Sequence, residues 1–211
     1  MRIGLALAVG LLLIALAMAI TLLHAPLVVA RDNSAVTHTP LVTTTGPAET
    51  CQAAETLPSG TTALRFGLTT ALGPQVKVLA FSDSHLITQG LRPPGWEGAS
   101  VTVPVRAVPS RTSIPVKICL RMSMLNGAVT MLGWHTHRAP ATGGSGKPLP
   151  GRMHIEYLRP ARGSWWSMAG ATARRLGLGR PASGTWNAFL VMGLAVTLIA
   201  LSSWLVVREL R

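Results

Sequence analysis

Histidines are the side chains in this sequence best suited to metal or acid–base chemistry. His135 and His137 alternate, so on a strand both would face one side and could supply two ligands of a metal site. His85 and His154 are the candidates for a third ligand. The run from Ser82 to His85 holds the residue types of a catalytic triad, but neighbours in sequence do not have triad geometry. A histidine-dependent hydrolase or transferase is therefore an alternative and not the main hypothesis.

Carboxylates and glycine-rich loops give no further catalytic signal. The acids between residues 32 and 186 are Asp32, Glu49, Glu55, Asp83, Glu97 and Glu156. No two of them have a spacing that suggests a paired general acid and base. Gly143–Lys147 resembles a phosphate-binding loop, but Ala141 replaces the glycine that such a loop requires and Pro148 replaces its hydroxyl residue. We therefore predict a protein that is not an enzyme and that takes no cofactor or metal.

The two cysteines, Cys51 and Cys119, both fall in the middle of the chain. A lone pair within one exported domain is typical of a disulfide, whereas in a reducing compartment the same pair would be two unrelated buried thiols. We expect the disulfide, because the elements on either side indicate export.

Composition indicates a membrane protein. Of 211 residues, 48% are hydrophobic and only 12% are charged, against a charged fraction of about 25% in soluble domains. Two apolar segments, over residues 3–24 and 185–207, are long enough to be transmembrane helices. Trp186 and Trp204 lie near the ends of the second segment, where indole rings prefer the headgroup layer. The first segment has an alternative interpretation as a cleaved signal peptide, although such apolar regions are usually shorter.

Charge predicts the orientation of these segments. The positive-inside bias is counted over short loops, so the arginines of the long central region carry little weight. Arg2 precedes the first segment, and Asp32 offsets Arg31 behind it. We expect both termini in the cytoplasm, the chain in the cytoplasmic (inner) membrane, and the central region outside.

The sequence of the central region predicts a β domain. Residues 31–50 are rich in threonine and proline and predict a linker. From residue 51 to 158, about seven short runs rich in β-branched residues recur between Gly- and Pro-containing turns. Several runs alternate with the period of a half-buried strand, as Val116, Ile118 and Leu120 do. The predicted fold is mainly β: a sandwich of about seven strands flanked by an N-terminal and a C-terminal transmembrane helix.

A short amphipathic helix is predicted over residues 163–178, before the second apolar segment. Trp165 lies on its apolar face beside Trp166, while Arg174 lies opposite and Arg175 on the flank. Aromatic and cationic faces of this kind are typical of a segment in a membrane interface. Alternatively, the two tryptophans pack under the β domain and the arginines are solvated.

The basic balance indicates anionic partners. The chain has 19 Lys and Arg against 7 Asp and Glu, a net charge of +12. An exported domain would not meet nucleic acid, so we expect membrane lipid and an anionic envelope polymer instead. Trp96, in a turn rich in glycine and proline, could stack on a sugar ring; alternatively, it caps the sandwich core.

Four stretches carry a resemblance that covers most of the chain from Cys51 onward: CQAAETLPSGTTALRF, GWEGASVTVPV, MHIEYLRPARGSWW and GLGRPASGTW, followed by a span ending in SSWLVVREL. Over these stretches the chain resembles a set of uncharacterised actinobacterial membrane proteins that have two membrane spans and an extracytoplasmic β domain. The resemblance implies an association with envelope-glycan and glycosyltransferase genes. It implies no activity, and no catalytic or binding residue.

The main hypothesis is therefore a non-enzymatic, membrane-anchored envelope protein whose exported β-sandwich binds or scaffolds envelope glycan or its assembly machinery. An alternative is an accessory subunit of an integral membrane complex. In that case the spans would make the contacts, through small residues such as Gly4, Gly10 and Gly193.

Overall fold

The computed structural model describes residues 2–33, 39–108, 112–123 and 127–169, together with residues 193, 196, 197 and 208. The predicted helix over 185–207 therefore lies almost wholly outside the described residues, and so does the second half of the helix predicted over 163–178. The chain divides into two compact units. One is Leu27–Pro160, and the other combines Met1–Pro26 with Ala161–Arg211.

The unit Leu27–Pro160 is built from short antiparallel strands. Its described residues form thirteen of them: β1 (Leu27–Asp32), β2 (Thr39–Thr44), β3 (Ala48–Leu57), β4 (Ala63–Phe66), β5 (Leu68–Thr69), β6 (Gln75–Ser82), β7 (His85–Arg92), β8 (Val101–Pro104), β9 (Ile114–Ser123), β10 (Val129–His135), β11 (Thr142–Gly143), β12 (Gly151–Met153) and β13 (Ile155–Pro160).

These strands form three antiparallel sheets. Their orders are β1-β13-β4-β8, then β12-β10-β2 with β5 also paired to β10, and β11-β3-β9-β6-β7. Inward side chains of all three sheets share one hydrophobic core, with Leu64, Phe66, Val78, Ile118 and Tyr157 among its fully buried members. The predicted mainly β fold is confirmed.

The strands predicted from alternation are present, but the predicted count of about seven is too low. The linker predicted over residues 31–50 is wrong, because β2, the end of β1 and the start of β3 lie within it. β2 occupies Thr39–Thr44 and pairs with β10. Threonine is a good strand residue, so the composition that suggested a linker also suits a half-exposed strand.

β3 shows why the count was too low. Its sequence, AETCQAAETL, is rich in residues that favour helices, yet it lies between β11 and β9 within the five-stranded sheet. The pairing of β3 with β9 shifts register between Gln52 and Glu55, and Ala54 has a φ of 54°. A bulge therefore hides the simple alternation that would have identified the strand.

The first and last strands of this unit pair with each other. β1 and β13 are antiparallel, and Leu27 at the start of β1 faces Pro160 at the end of β13. The chain consequently enters and leaves the β unit at neighbouring positions on one sheet.

In the other unit, Arg2–Leu23 forms one helix, α1. Its leucines and alanines are strong helix formers, and Pro26, which lacks a backbone N–H, follows soon after its end. Side chains of α1 are described from Val9 onward, and large apolar ones such as Leu12 and Ile14 are exposed. Within the described residues, no helix combines the length and the apolar character needed to cross a membrane.

Candidate functional site

The outward face of the five-stranded sheet carries a groove that is partly lined by polar and charged side chains. One cross-strand row on this face runs through Glu49 of β3, Arg121 of β9, Lys77 of β6 and Leu91 of β7, each paired with the next. Neighbours in such a row have Cβ atoms about 4.5–5.5 Å apart, so their side chains interact directly.

This row crosses a groove of about 950 Å³. Four strands supply its walls, whose outward side chains include Glu49, Gln75, Lys77, Gln89, Leu91, Arg121 and Ser123. The Ser123 hydroxyl donates to the Gln75 side-chain oxygen at 3.1 Å. The volume is near the upper end of the range of about 300–1,000 Å³ found for small-molecule sites. The groove therefore has the size of a small-molecule site, and several of the side chains that line it are polar or charged.

The positive and negative side chains of this row do not balance each other. The Arg121 Nε lies 3.0 Å from the Glu49 carboxylate, while both side chains stay partly exposed. Lys77 stands directly opposite Arg121 on the other side and has no ion pair within the described part of the chain. Like charges directly opposite each other destabilise a sheet. The row therefore holds one more cation than its own carboxylate neutralises.

The disulfide lies on the same face, one row away from the groove's cations. Cys51 and Cys119 are directly paired in β3 and β9 and are joined through their sulfurs, with Cα atoms 4.0 Å apart. This confirms the predicted bond. A second hollow of about 590 Å³ borders it, with Lys117 and Phe81 in its lining. The bond ties together two strands that carry the groove.

A buried polar network supports the bulge of β3. The Glu55 carboxylate accepts from the Arg152 guanidinium at 2.6 Å, the Tyr157 hydroxyl at 2.7 Å and the Asn33 amide at 2.8 Å. Arg152 also donates to the carbonyl of Ala54 at 3.2 Å. These bonds satisfy a carboxylate that is nearly inaccessible to solvent and hold Ala54 in its left-handed conformation.

Tyr157 is the titratable group most affected by this network. Burial raises the pKa of its hydroxyl far above the ordinary value of about 10, and the adjacent Glu55 carboxylate raises the pKa further. The phenol is thus held protonated as a hydrogen-bond donor. Its role is structural, since its hydroxyl points to a buried carboxylate.

The four candidate histidines lie in different surroundings. His85 is exposed at the start of β7. His135 and His137 border a hollow of about 510 Å³ whose lining also includes three prolines, and the His135 Nδ1 is 3.2 Å from the Pro150 carbonyl. His154 is buried. Among the described residues no contact joins any two of these histidines, so neither candidate for a third ligand, His85 or His154, is placed beside His135 and His137.

His154 instead lies between two carboxylates. Its Nδ1 is 3.5 Å from Asp32 and its Nε2 is 3.5 Å from Glu156. One ligand atom from each of Asp32, His154 and Glu156 lies within 4.8 Å of the other two, so these three residues form a group with metal-ligand residue types. Glu156 also pairs with Arg65 at 2.7 Å. The arrangement favours a charge cluster that ties β13 to β1 and β4.

A second group with metal-ligand residue types consists of Glu49, Cys51 and Cys119. Its two sulfurs are bonded to each other, so no thiolate is available there to bind a metal. This group therefore contributes the disulfide and the Glu49 carboxylate of the groove.

Trp96 is a core residue. It is buried, and its indole N–H donates to the Pro74 carbonyl at 2.8 Å. Gly73 packs so closely against the ring that an added Cβ would lie 2.0 Å from it. The Trp96 ring therefore packs within the hydrophobic core, as in the second of the two interpretations, and little of it is exposed for a sugar to stack on.

Two of the predicted membrane-interface residues are described. Trp165 and Trp166 are half or more exposed at the start of a helical stretch over residues 165–169, where the Ser164 hydroxyl accepts from the Ser167 N–H at 3.3 Å. The Trp165 N–H donates to the carbonyl of His24, just after α1, at 3.2 Å. The remaining members, Arg174, Arg175, Trp186 and Trp204, lie outside the described residues.

Sequence reasoning missed the groove. Its signal was present in part, since the alternation of β9 places Arg121 and Lys117 opposite the core residues of that strand. The strand register that places Arg121 between Glu49 and Lys77 could not be predicted from the sequence, because it depends on two long-range strand pairings.

No family model, no curated protein and no solved structure matches this chain.

Proposed function

We propose that this protein is a non-enzymatic, membrane-anchored binding protein of the cell envelope. In this proposal the β unit faces the extracytoplasmic side, and the apolar segments at both ends tether it to the cytoplasmic membrane with both termini inside. The β unit binds or scaffolds envelope glycan or its assembly machinery.

The observation that carries the proposal is the pairing of β1 with β13. Since Leu27 and Pro160 are cross-strand partners, the two flanking segments depart from neighbouring positions of the β unit. Two anchors that follow from adjacent strand ends can enter the same membrane surface while β1 and β13 stay paired. The exposed leucines of α1 and the charge-free sequence of residues 3–24 supply the apolar surface that lipid would cover.

The disulfide supports the extracytoplasmic side. Bonds of this kind persist in oxidising compartments and are rare in the reducing cytosol. Cys51 and Cys119 form one within the β unit.

Trp165 and Trp166 support contact with the headgroup layer. Large exposed indoles are uncommon on an unpartnered soluble surface, but they are enriched at membrane–water interfaces. The hydrogen bond from Trp165 to His24 puts the start of their helix next to the end of α1. We propose that this pair lies at the level of the lipid headgroups.

Thiol trapping in intact cells tests the location of the β unit. Cells are lysed in an alkylating reagent that adds mass to free thiols, with and without prior reduction. We expect no mass shift before reduction and the addition of two labels after it, while a C51A/C119A variant stays unshifted throughout. Labelling of both wild-type cysteines without reduction would contradict the proposal, as would a carbonate wash that releases the protein from membranes.

An accessory-subunit function is the second candidate. It is favoured by Gly10, where an added Cβ would meet nothing within 4 Å, so that this part of α1 is open to close approach by another helix. Replacing Gly10 with Leu would then break co-purification with the partner complex, whereas replacing the neighbouring Leu11 with Ile would preserve it. Unchanged co-purification of the Gly10→Leu variant would argue against a subunit role for α1.

A further inference from the structure

We infer that the groove on the outward face of the five-stranded sheet binds a saccharide that carries a carboxylate, and that Lys77 and Arg121 hold this carboxylate. The inference rests on the proposed binding function and names the ligand class and the residues. Three observations support it: the row has an excess of positive charge, the side chains around it can donate and accept hydrogen bonds, and the strands that carry it are paired on both sides.

The charge of the row identifies an anionic group. Lys77 and Arg121 are direct cross-strand partners on the outward face, an arrangement that costs stability in an empty sheet. Glu49 neutralises only one of them, at 3.0 Å from Arg121. A ligand carboxylate between the two cations would relieve their repulsion, and the planar guanidinium can bind it with two parallel hydrogen bonds.

The neighbouring side chains identify a saccharide. The amides of Gln75 and Gln89 and the hydroxyl of Ser123 line the groove, and each can both donate and accept hydrogen bonds. Sugar hydroxyls need such paired donors and acceptors. Leu91, about half exposed, adds an apolar patch suited to the C–H face of a sugar ring.

The backbone argues against an extended peptide. Peptides recognised by sheets gain most of their affinity by pairing with unpaired main-chain groups at a sheet edge. β6 and β9, which carry the two cations, are paired on both sides. A ligand in the groove can therefore hydrogen-bond only with side chains, which suits a ligand rich in hydroxyl groups.

The same geometry favours a carboxylate over a phosphate. Protein sites for phosphate commonly use backbone N–H groups at helix N-termini or in loops, whereas the N–H groups of these strands are engaged in the ladder. Glu49 would also repel a dianionic phosphate more strongly than a monoanionic carboxylate.

Calorimetry on the full-length protein tests the inference, using protein held in phosphatidylcholine nanodiscs so that no anionic lipid competes. The probe is oligogalacturonate, and the matched neutral ligand is the same oligomer with its carboxylates methyl-esterified. We expect binding of the acid form that weakens as salt rises, and no binding of the ester. Losing one charged hydrogen-bond donor should weaken binding about tenfold in K77Q and in R121Q.

K117Q is the matched control, because it removes the same charge from the same face but outside the groove. It should change affinity by no more than about twofold, as screened surface charges do. Equal binding of the ester, an equal loss in K117Q, or full displacement by inorganic phosphate would overturn the inference. Each of these results would leave the thiol-trapping test of location untouched, whereas a cytosolic β unit would refute the proposed function even if the acid form bound.

Discussion

Leu27 and Pro160 face each other across an antiparallel pair, although they lie at opposite ends of the β unit in sequence. The pair closes the unit on itself, since β13 is also bonded to β4 and through it to the rest of that sheet. Each flanking segment is therefore joined directly to a strand of the hydrogen-bonded β1–β13 ladder, and a force on that segment would act on this ladder first.

The disulfide should contribute strongly to stability. Cys51 and Cys119 are separated by 68 positions, and closing a loop of that length in the unfolded chain is worth about 4 kcal/mol in the loop-entropy model. We expect C51A/C119A to lower the free energy of unfolding of the full-length protein by about 2–4 kcal/mol, measured by denaturant titration. Reductant should destabilise the wild type by a similar amount and leave the variant unchanged; a variant as stable as the oxidised wild type would contradict this.

Glu55 should be far more important to stability than an exposed carboxylate. Its removal in E55A leaves the buried Tyr157 hydroxyl without its acceptor and takes away the carboxylate that balances the charge of Arg152. We expect a loss of about 3–5 kcal/mol in the free energy of unfolding.

The matched control for Glu55 is E49A, which breaks an ion pair that stays partly exposed. It should cost less than about 1 kcal/mol. Similar losses in the two variants would show that the buried network does not support the fold as described.

Tyr157 predicts an alkaline limit to stability. Its pKa is raised in the folded protein, so the folded state keeps the proton that the unfolded state releases near pH 10. The stabilisation is fully present below that pH and is lost as pH rises above it. Because this is the only tyrosine in the chain, tyrosinate absorbance reports its ionisation directly. We expect that absorbance to appear only together with unfolding.

Y157F separates this effect from the titration of lysines. The variant should lose the part of the alkaline slope that the tyrosine causes, while the slope from other groups remains. A tyrosinate signal that rises near pH 10 in protein that is still folded would contradict the buried position of the hydroxyl.

Gly73 should tolerate no side chain. A Cβ there would lie 2.0 Å from the Trp96 ring, which is itself held by its bond to Pro74. We expect G73A to lower the free energy of unfolding by about 1–3 kcal/mol, because the indole must shift within a packed core. G46A is the control: nothing lies within 4 Å of a Cβ built there. It should change stability by less than about 0.5 kcal/mol, and an equal effect at both glycines would refute the close packing.

Strand positions that alternate were readable from the sequence. In β9, Val116, Ile118 and Leu120 point to the core and Lys117 and Arg121 point outward, as their spacing predicted. A period of two places every second side chain on one face whatever the strand pairs with, so this information is local. The disulfide was also predictable, because only two cysteines exist and both lie in the β unit.

Structural features that depend on contacts between residues distant in sequence could not be predicted from the sequence. The sequence around Trp96 left open whether its ring meets a sugar or caps the core; the structure packs the ring against Gly73 and bonds its N–H to the Pro74 carbonyl. β3 resembled a helix by composition, and its bulge concealed the alternation. In both cases contacts distant in sequence outweighed local preference.

The sequence by itself determined the class of this protein: a basic, apolar-ended chain with a β-rich middle and a single cysteine pair. These properties come from composition and from periodicity, which need no knowledge of the partner strands. Only the tertiary structure decided that the ends of the β unit meet at Leu27 and Pro160. It likewise decided that Lys77 and Arg121 share one groove with Glu49. The physical reason is register: the side chains that meet across a sheet are chosen by long-range pairing, and a slip of one residue would turn each of them to the opposite face.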